Sequence, residues 1–116
     1  VDLKTGLGAK PEEFVRQSWE YRYHVQAAWA IDLIHDACQR EVAGFVFINV
    51  EKTRPYPVSV MPADDETIAE GRKAYRQNLD RYALCMKTGQ WPAYGDGMCM
   101  LGVPGWVQEA NRKKWR

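Results

Sequence analysis

The segment GFVFINVEK, residues 44–52, constrains the fold of this chain most. It is a continuous run of β-branched and aromatic residues, which is typical of a central strand. It is far too short for a membrane-spanning helix, which needs about 20 apolar residues. After a short KTR connection, YPVSVMP alternates in polarity, and Pro55 and Pro57 stand at its start. The two segments therefore predict an antiparallel hairpin whose second strand lies toward an edge of the sheet.

The rest of the chain is predicted to hold one more strand and four helices. VDLKT, at the start, is predicted to be a strand, and a short helix follows Pro11 and runs to about Trp19. The segment 23–39 is apolar on so much of its circumference that we expect a largely buried helix, with Gln26 on a buried or half-buried face. The longest helix is predicted over 64–89, and a short final helix over 105–116. The order strand-helix-helix-strand-strand-helix-helix is an α/β arrangement.

The predicted sheet is thin for so many apolar helices. VDLKT resembles a central strand, but nothing precedes it that could pair with it. We therefore expect residues 1–116 to be the C-terminal portion of a single larger domain, with the N-terminal portion absent from this chain. The alternative is that the chain completes its sheet with another polypeptide.

Charge and cysteine content limit the classes of partner. Lys and Arg total 16 against 15 Asp and Glu, so the average charge indicates no polyanion partner, although a local basic patch is compatible with it. The end, NRKKWR, is interpreted as a solvated tail or as such a patch. Three cysteines without a CxxC spacing argue against a disulfide framework and a zinc site, and favour reduced thiols in a cytoplasmic protein. Trp91 and Trp106 are interpreted as interface anchors or as residues that cover the core, and the second reading is favoured.

The first strand carries two oppositely charged side chains that can bind a metal ion and a water molecule. Asp2 and Lys4 point to the same face, about 7 Å apart along the strand. A carboxylate suits Mg²⁺ or Mn²⁺, and an ammonium beside it can help deprotonate a metal-bound water or stabilise charge on a phosphate. The backbone carbonyl of Leu3 can supply a further oxygen ligand. By themselves these residues leave two readings open, which are phosphodiester hydrolysis and a surface ion pair at a strand end.

The wider arrangement resembles a known superfamily. DLKT at 2–5 is followed by YHVQAAW at 23–29, which contains Gln26. This pairing resembles the PD-(D/E)xK nucleases, in which a D/E-x-K strand precedes a helix with a Q-x-x-x-Y motif. The closer resemblance is to RecE-like exonucleases, also called exonuclease VIII, and to related phage alkaline exonucleases. Supporting segments are FINVE at 47–51, PYPVSVM at 55–61, GRKAYRQNLDRYALC at 71–85, WPAY at 91–94 and VPGW at 103–106.

This resemblance implies a restriction-endonuclease-like core, incomplete in this chain, as the C-terminal portion of a nuclease domain. It implies a Mg²⁺- or Mn²⁺-dependent exodeoxyribonuclease that degrades linear double-stranded DNA from 5′ ends during recombination. It also implies a ring-shaped homo-oligomer, a single-strand annealing protein as partner, and the cytoplasm of a bacterial or phage-infected cell.

The resemblance also assigns roles to residues. Asp2, with the Leu3 carbonyl, would bind the metal, and Lys4 would position the attacking water. Gln26 would hold the active-site end of its helix or touch the DNA backbone. For His24, the alternative to a phosphate contact is a structural role. The residues expected to bind substrate are Thr5, Tyr23, His24 and Gln26.

Two departures weaken the expected catalysis. Ala30 stands where the motif has its tyrosine, and Trp29 can replace the bulk of that residue but not its hydroxyl. The acidic ligands that precede the D-x-K strand in this family have no counterpart here, so we expect the isolated chain to be weak or inactive. One alternative is a catalytically inactive nuclease-like domain that binds DNA or assembles subunits. Another is an unrelated α/β domain.

Overall fold

The computed structural model describes residues 1–95 and 97–115, and it has a mixed α/β architecture. In chain order the elements are β1 (Asp2–Gly6), α1 (Pro11–Glu20), α2 (Tyr23–Cys38), β2 (Val46–Glu51), β3 (Val58–Pro62), α3 (Asp65–Thr88) and α4 (Gly105–Lys114). This order is the predicted one. The prediction for the last helix extends to Arg116, which lies outside the described residues.

The three strands form one sheet in the order β1-β2-β3. β1 runs parallel to β2, with Lys4 beside Asn49, and β3 runs antiparallel to β2, with Ser59 beside Asn49. β2 is therefore the central strand, as its continuous apolar run predicts. β1, which we expected to be central, pairs only with β2 among the described residues.

The core lies on one face of this sheet, because β2 alternates between a buried and a less buried side. Phe47 points to the covered face and packs against Phe14 of α1, with ring centroids 5.8 Å apart. The buried core consists of Phe14, Ala27, Ala28, Phe47 and Ile68. On the opposite face, Leu3 and Val60 remain 65% and 62% exposed.

Helices α2 and α3 approach closely where small residues meet. Ala28 is fully buried, and Gly71 lies against the backbone of His24. A Cβ at position 71 would overlap the His24 carbonyl group and would lie 3.0 Å from the Ala28 Cβ. The absence of a side chain at Gly71 is thus what lets the two helices pack at this distance.

The prediction that α2 is largely buried is wrong for its second half. Leu33 is 49% exposed and Ile34 is 45% exposed, whereas Ala27 and Ala28 are fully buried. The physical reason is that the described residues cover α2 on the side of Ile31 and Asp32, whereas Leu33 and Ile34 point away from that side.

The chain divides into two compact units, Val1–Leu84 and Cys85–Arg116. The first contains the sheet, α1, α2 and most of α3, and the second contains α4. Trp91 and Trp106, in the second unit, are 59% and 75% exposed, and their predicted cover of the core stays a prediction. Over residues 1–95 and 97–115, no helix combines the length and the apolar character that crossing a membrane requires.

Candidate functional site

Strand alternation directs Asp2 and Lys4 toward the covered side of the sheet. They alternate with Leu3 and Thr5 and are paired in register with Phe47 and Asn49 of β2. Their side chains are 25% and 20% exposed. A carboxylate and an ammonium therefore lie half-buried at the edge of the core rather than on open surface.

Three contacts hold the Lys4 ammonium. Its Nζ lies 2.9 Å from Asp2 Oδ2, and it donates a hydrogen bond of 2.8 Å to Gln26 Oε1. The same Nζ stands 4.2 Å from the centroid of the Tyr23 ring, which is a cation–π contact. An ammonium has three donors and the bond to Gln26 uses one, so N–H groups remain for a water molecule or a phosphate oxygen.

The first turn of α2 brings Tyr23 and Gln26 to the strand. The two residues are three positions apart, so they share one side of the helix. The Tyr23 ring stacks on Phe47 at 5.9 Å and lies 6.0 Å from Phe14, which fixes this turn over the sheet. Gln26 is exposed, so the prediction that it is buried is wrong. The amide points outward from the core to Lys4, and the expected desolvation cost is largely avoided.

One acceptor in this cluster is left without a hydrogen bond. Asp2 Oδ2 is buried and has no aligned donor, although it lies within ion-pair distance of Lys4. The Lys4 contact contributes charge but not hydrogen-bond geometry. A buried carboxylate oxygen in this state is costly unless another group binds it.

The carboxylate fits one ligand position of a divalent cation and no more. A hard oxygen of this kind suits Mg²⁺ or Mn²⁺. Over the described residues, however, no three His, Cys, Asp or Glu side chains come together in a group that could hold a metal ion. The residues described here therefore do not fit a complete metal site.

The side chains of the other predicted site residues lie away from the Lys4 cluster, although for Leu3 the predicted ligand is the backbone carbonyl and not the side chain. The side chains of Leu3 and Thr5 point to the opposite face of β1, and both are exposed. His24 is 9% exposed and packs on Trp19 with ring centroids 4.2 Å apart. Burial lowers its pKa below 6.5, and the charge of Arg22 lowers it further, while Glu70 opposes the shift. This position favours the structural reading of His24 over a phosphate contact.

Asn49 is a site neighbour that sequence reasoning missed. It is 1% exposed, lies beside Lys4 in the sheet, and donates a 2.9 Å hydrogen bond to the carbonyl of Gly8. Glu51 accepts a bond of 3.3 Å from the backbone N–H of Ala9. Both residues therefore fasten the loop after β1 to β2. The only signal in the sequence is an amide inside the otherwise apolar run FVFINV.

A second polar cluster joins α2 to α3. The Asp32 carboxylate accepts bonds of 2.8 and 2.7 Å from Arg72 Nε and Nη2, and a short bond from the Tyr75 hydroxyl. Together these donors lower the pKa of Asp32 to about 2, with the Arg72 hydrogen bond as the largest cause. Two parallel bonds from one guanidinium to one carboxylate are typical of a structural clamp.

Comparison with known proteins agrees with this geometry at the level of the superfamily. A search of curated proteins found no match. A family described as a PDDEXK-like domain of unknown function (DUF3799) matches residues 1–101, which include β1 with Asp2 and Lys4 and α2 with Gln26. With the greater part of its length matched by this family, the chain belongs to the PDDEXK-like domains.

Proposed function

We propose that this domain hydrolyses phosphodiester bonds of linear double-stranded DNA as a metal-dependent exonuclease of the RecE-like type. Membership of a PDDEXK-like family supports a nuclease-type fold. The RecE-like segments and the 5′-end polarity rest on the sequence resemblance alone.

The observation that carries the proposal is the geometry around Lys4. Its ammonium lies within 2.9 Å of a carboxylate and 2.8 Å of an amide that come from separate elements, β1 and α2. A surface ion pair needs neither the amide nor the aromatic ring, and exposed pairs contribute only about 0–1 kcal/mol. Holding one lysine with three groups is the preorganisation that a charge-stabilising site requires.

Each residue of the cluster has a part in this proposal. Lys4 directs its free N–H toward a phosphate oxygen or the attacking water. Gln26 and Tyr23 keep the ammonium in one position, and Asp2 keeps positive charge localised beside it. A divalent metal, when bound, would polarise the phosphate and lower the pKa of water.

The ligands and partners belong to the proposal as well. Mg²⁺ or Mn²⁺ would be held by Asp2 and the Leu3 carbonyl with further ligands from outside the described residues. An N-terminal portion of the domain, in the same or another chain, would supply them. A ring-shaped homo-oligomer around DNA, a single-strand annealing protein and a cytoplasmic location complete the proposal.

The test is resection of a linear duplex with Mg²⁺ by the protein that includes any preceding portion of the domain. Asp2→Ala and Lys4→Ala should each reduce cleavage at least a hundredfold, since both remove charge at the reacting phosphate. Lys52→Ala, an exposed lysine just after β2, is the matched control and should retain activity. Full cleavage by either site variant would reject the proposal.

A second function is favoured by the incomplete ligand set and by Ala30 in place of the motif tyrosine. In this alternative the domain binds DNA or assembles subunits without cleaving. Normal DNA binding without cleavage by the unmutated protein, at any Mg²⁺ or Mn²⁺ concentration, would establish it.

A further inference from the structure

The second unit, Cys85–Arg116, differs from the first in charge. It contains five Lys and Arg against two Asp and Glu, a net charge of +3, whereas Val1–Leu84 contains 11 against 13, a net charge of −2. The overall balance of +1 thus hides a basic unit. The cations concentrate in the last turn of α4, where Arg112, Lys113 and Lys114 follow one another.

Helix α4 is exposed to solvent along its length. None of its residues is buried, and Trp106 is 75% exposed. Trp115, directly after the helix, is 83% exposed. The helix is nevertheless anchored locally, since Gln108 Nε2 donates a 3.0 Å hydrogen bond to the Val103 carbonyl. Two large aromatic rings are therefore presented on an ordered basic helix.

Helical spacing places one ring and one cation on the same side of α4, and a second cation follows at the neighbouring groove. Trp106 and Lys113 are seven residues apart, so they share a face about 10 Å in length. Arg112 and Lys113 line an open groove of about 510 Å³ on this helix, together with Gly105 and Glu109. Glu109 pairs with Lys113 at 3.1 Å, but both side chains are well exposed, and such a pair is readily exchanged for another anion.

We propose that this surface of α4, defined by Trp106, Arg112 and Lys113, binds single-stranded DNA, with a base stacked on Trp106 and phosphates on the two cations. Aromatic rings interleaved with cations are how proteins bind single strands without sequence preference. The inference rests on the proposed function for its choice of DNA, as the strand left after resection. The family match ends at residue 101, before α4 begins, so nothing in that match assigns this surface.

Two other polyanions fit less well. In duplex DNA the bases are stacked inside, so a duplex would use the cations and leave Trp106 idle. A membrane surface requires a continuous apolar face, whereas α4 has only Trp106, Val107 and Ala110 as apolar side chains and distributes its cations around the helix.

The test is fluorescence anisotropy of labelled oligothymidine with the full chain in EDTA, which prevents cleavage. Trp106→Ala should weaken binding about tenfold, and Trp106→Phe should restore most of it, because a ring face is retained. Substituting both Arg112→Ala and Lys113→Ala should reduce the salt dependence, the slope of log K against log salt, by about 1.4. Circular dichroism checks that each variant folds.

The matched control is Lys73→Ala. Lys73 also lies on a helix surface and pairs with a glutamate one turn earlier, Glu70, at 3.9 Å. It should leave affinity and salt slope unchanged. Equal affinity of Trp106→Ala and parent, or binding to phosphatidylglycerol vesicles but not to oligothymidine, would overturn the inference. A different result would overturn the proposed function alone. In that case oligothymidine binding depends on Trp106, but Asp2→Ala leaves cleavage unimpaired.

Discussion

At the residue scale, the cations Lys4 and Arg72 both link α2 to another element, and they do so in different ways. The Lys4 ammonium contacts a carboxylate, an amide and an aromatic ring, and it keeps N–H donors for a ligand. Arg72 gives two parallel bonds to Asp32 and is engaged by that one partner. The first arrangement leaves ammonium donors for a ligand, and the second has the bidentate geometry of a structural pair.

The Asp32 clamp predicts a stability loss at low pH. Its pKa is lowered from 3.8 to about 2 in the fold, so the unfolded chain binds the proton more readily. The stabilisation is present above about pH 4, is lost as the pH falls toward 2, and is at most about 2 kcal/mol. In urea unfolding, Asp32→Asn should be less stable than the parent at pH 7 and should approach it near pH 2. The exposed Asp36→Asn is the control, and a pH-independent difference for Asp32→Asn would contradict the prediction.

The buried His24 predicts a second loss of stability on acidification, which begins at a higher pH than the loss due to Asp32. Because burial lowers its pKa below 6.5, the folded chain resists protonation there and the unfolded chain does not. Stability should therefore fall as the pH is lowered from about 7 to 5. His24→Leu should remove this dependence even if it costs stability overall, whereas exposed His35→Gln should leave it intact. A His24→Leu variant with the parental pH slope in thermal unfolding would contradict this.

At the element scale, the order of strands and helices follows from local patterns, but the depth of each helix does not. The alternating and continuous apolar runs placed β1, β2 and β3 correctly. The apolar breadth of α2 suggested burial along its whole length, but Leu33 and Ile34 in its second half are about half exposed, at 49% and 45%. Periodicity states which side chains can be buried, while neighbouring elements decide which are.

The α2–α3 contact predicts a sharp effect of one methyl group. Gly71→Ala places a Cβ against the His24 carbonyl, so the helices must separate. Overpacking of this kind costs about 1–3 kcal/mol, which outweighs the gain of about 1 kcal/mol in helix propensity. Gly44→Ala is the control, because nothing lies within 4 Å of a Cβ there. Chemical denaturation compares the two variants, and a stabilised Gly71→Ala would show that the close approach is wrong.

At the scale of the whole molecule, one face of the sheet is bare. Leu3, Val58 and Val60 are 65%, 56% and 62% exposed on the two strands that flank β2, opposite the face that carries the core. Contiguous apolar surface of this kind promotes association between proteins. One face of the sheet therefore carries the core and the residues around Lys4, and the other face is exposed and apolar.

The bare face predicts concentration-dependent association. Replacing Val58→Thr and Val60→Thr together keeps β-branched side chains and lowers apolar area, so light scattering at equal concentration should fall with little change in thermal unfolding. Gln77→Leu, at an exposed position of α3, is a control that adds apolar area elsewhere. Unchanged scattering in the double variant would mean that another surface drives association.

The sequence by itself determined the order of the elements, the pairing of a D-x-K strand with a glutamine-bearing helix, and membership of the PDDEXK-like superfamily. These depend on residue type and spacing along the chain, which local physical rules can read. Only the tertiary structure decided that Lys4, Gln26 and Tyr23 touch, that Asn49 fastens the loop beside them, and that Thr5 faces away. The reason is that such contacts join residues far apart in sequence, and their distances are set by how α2 packs on the sheet.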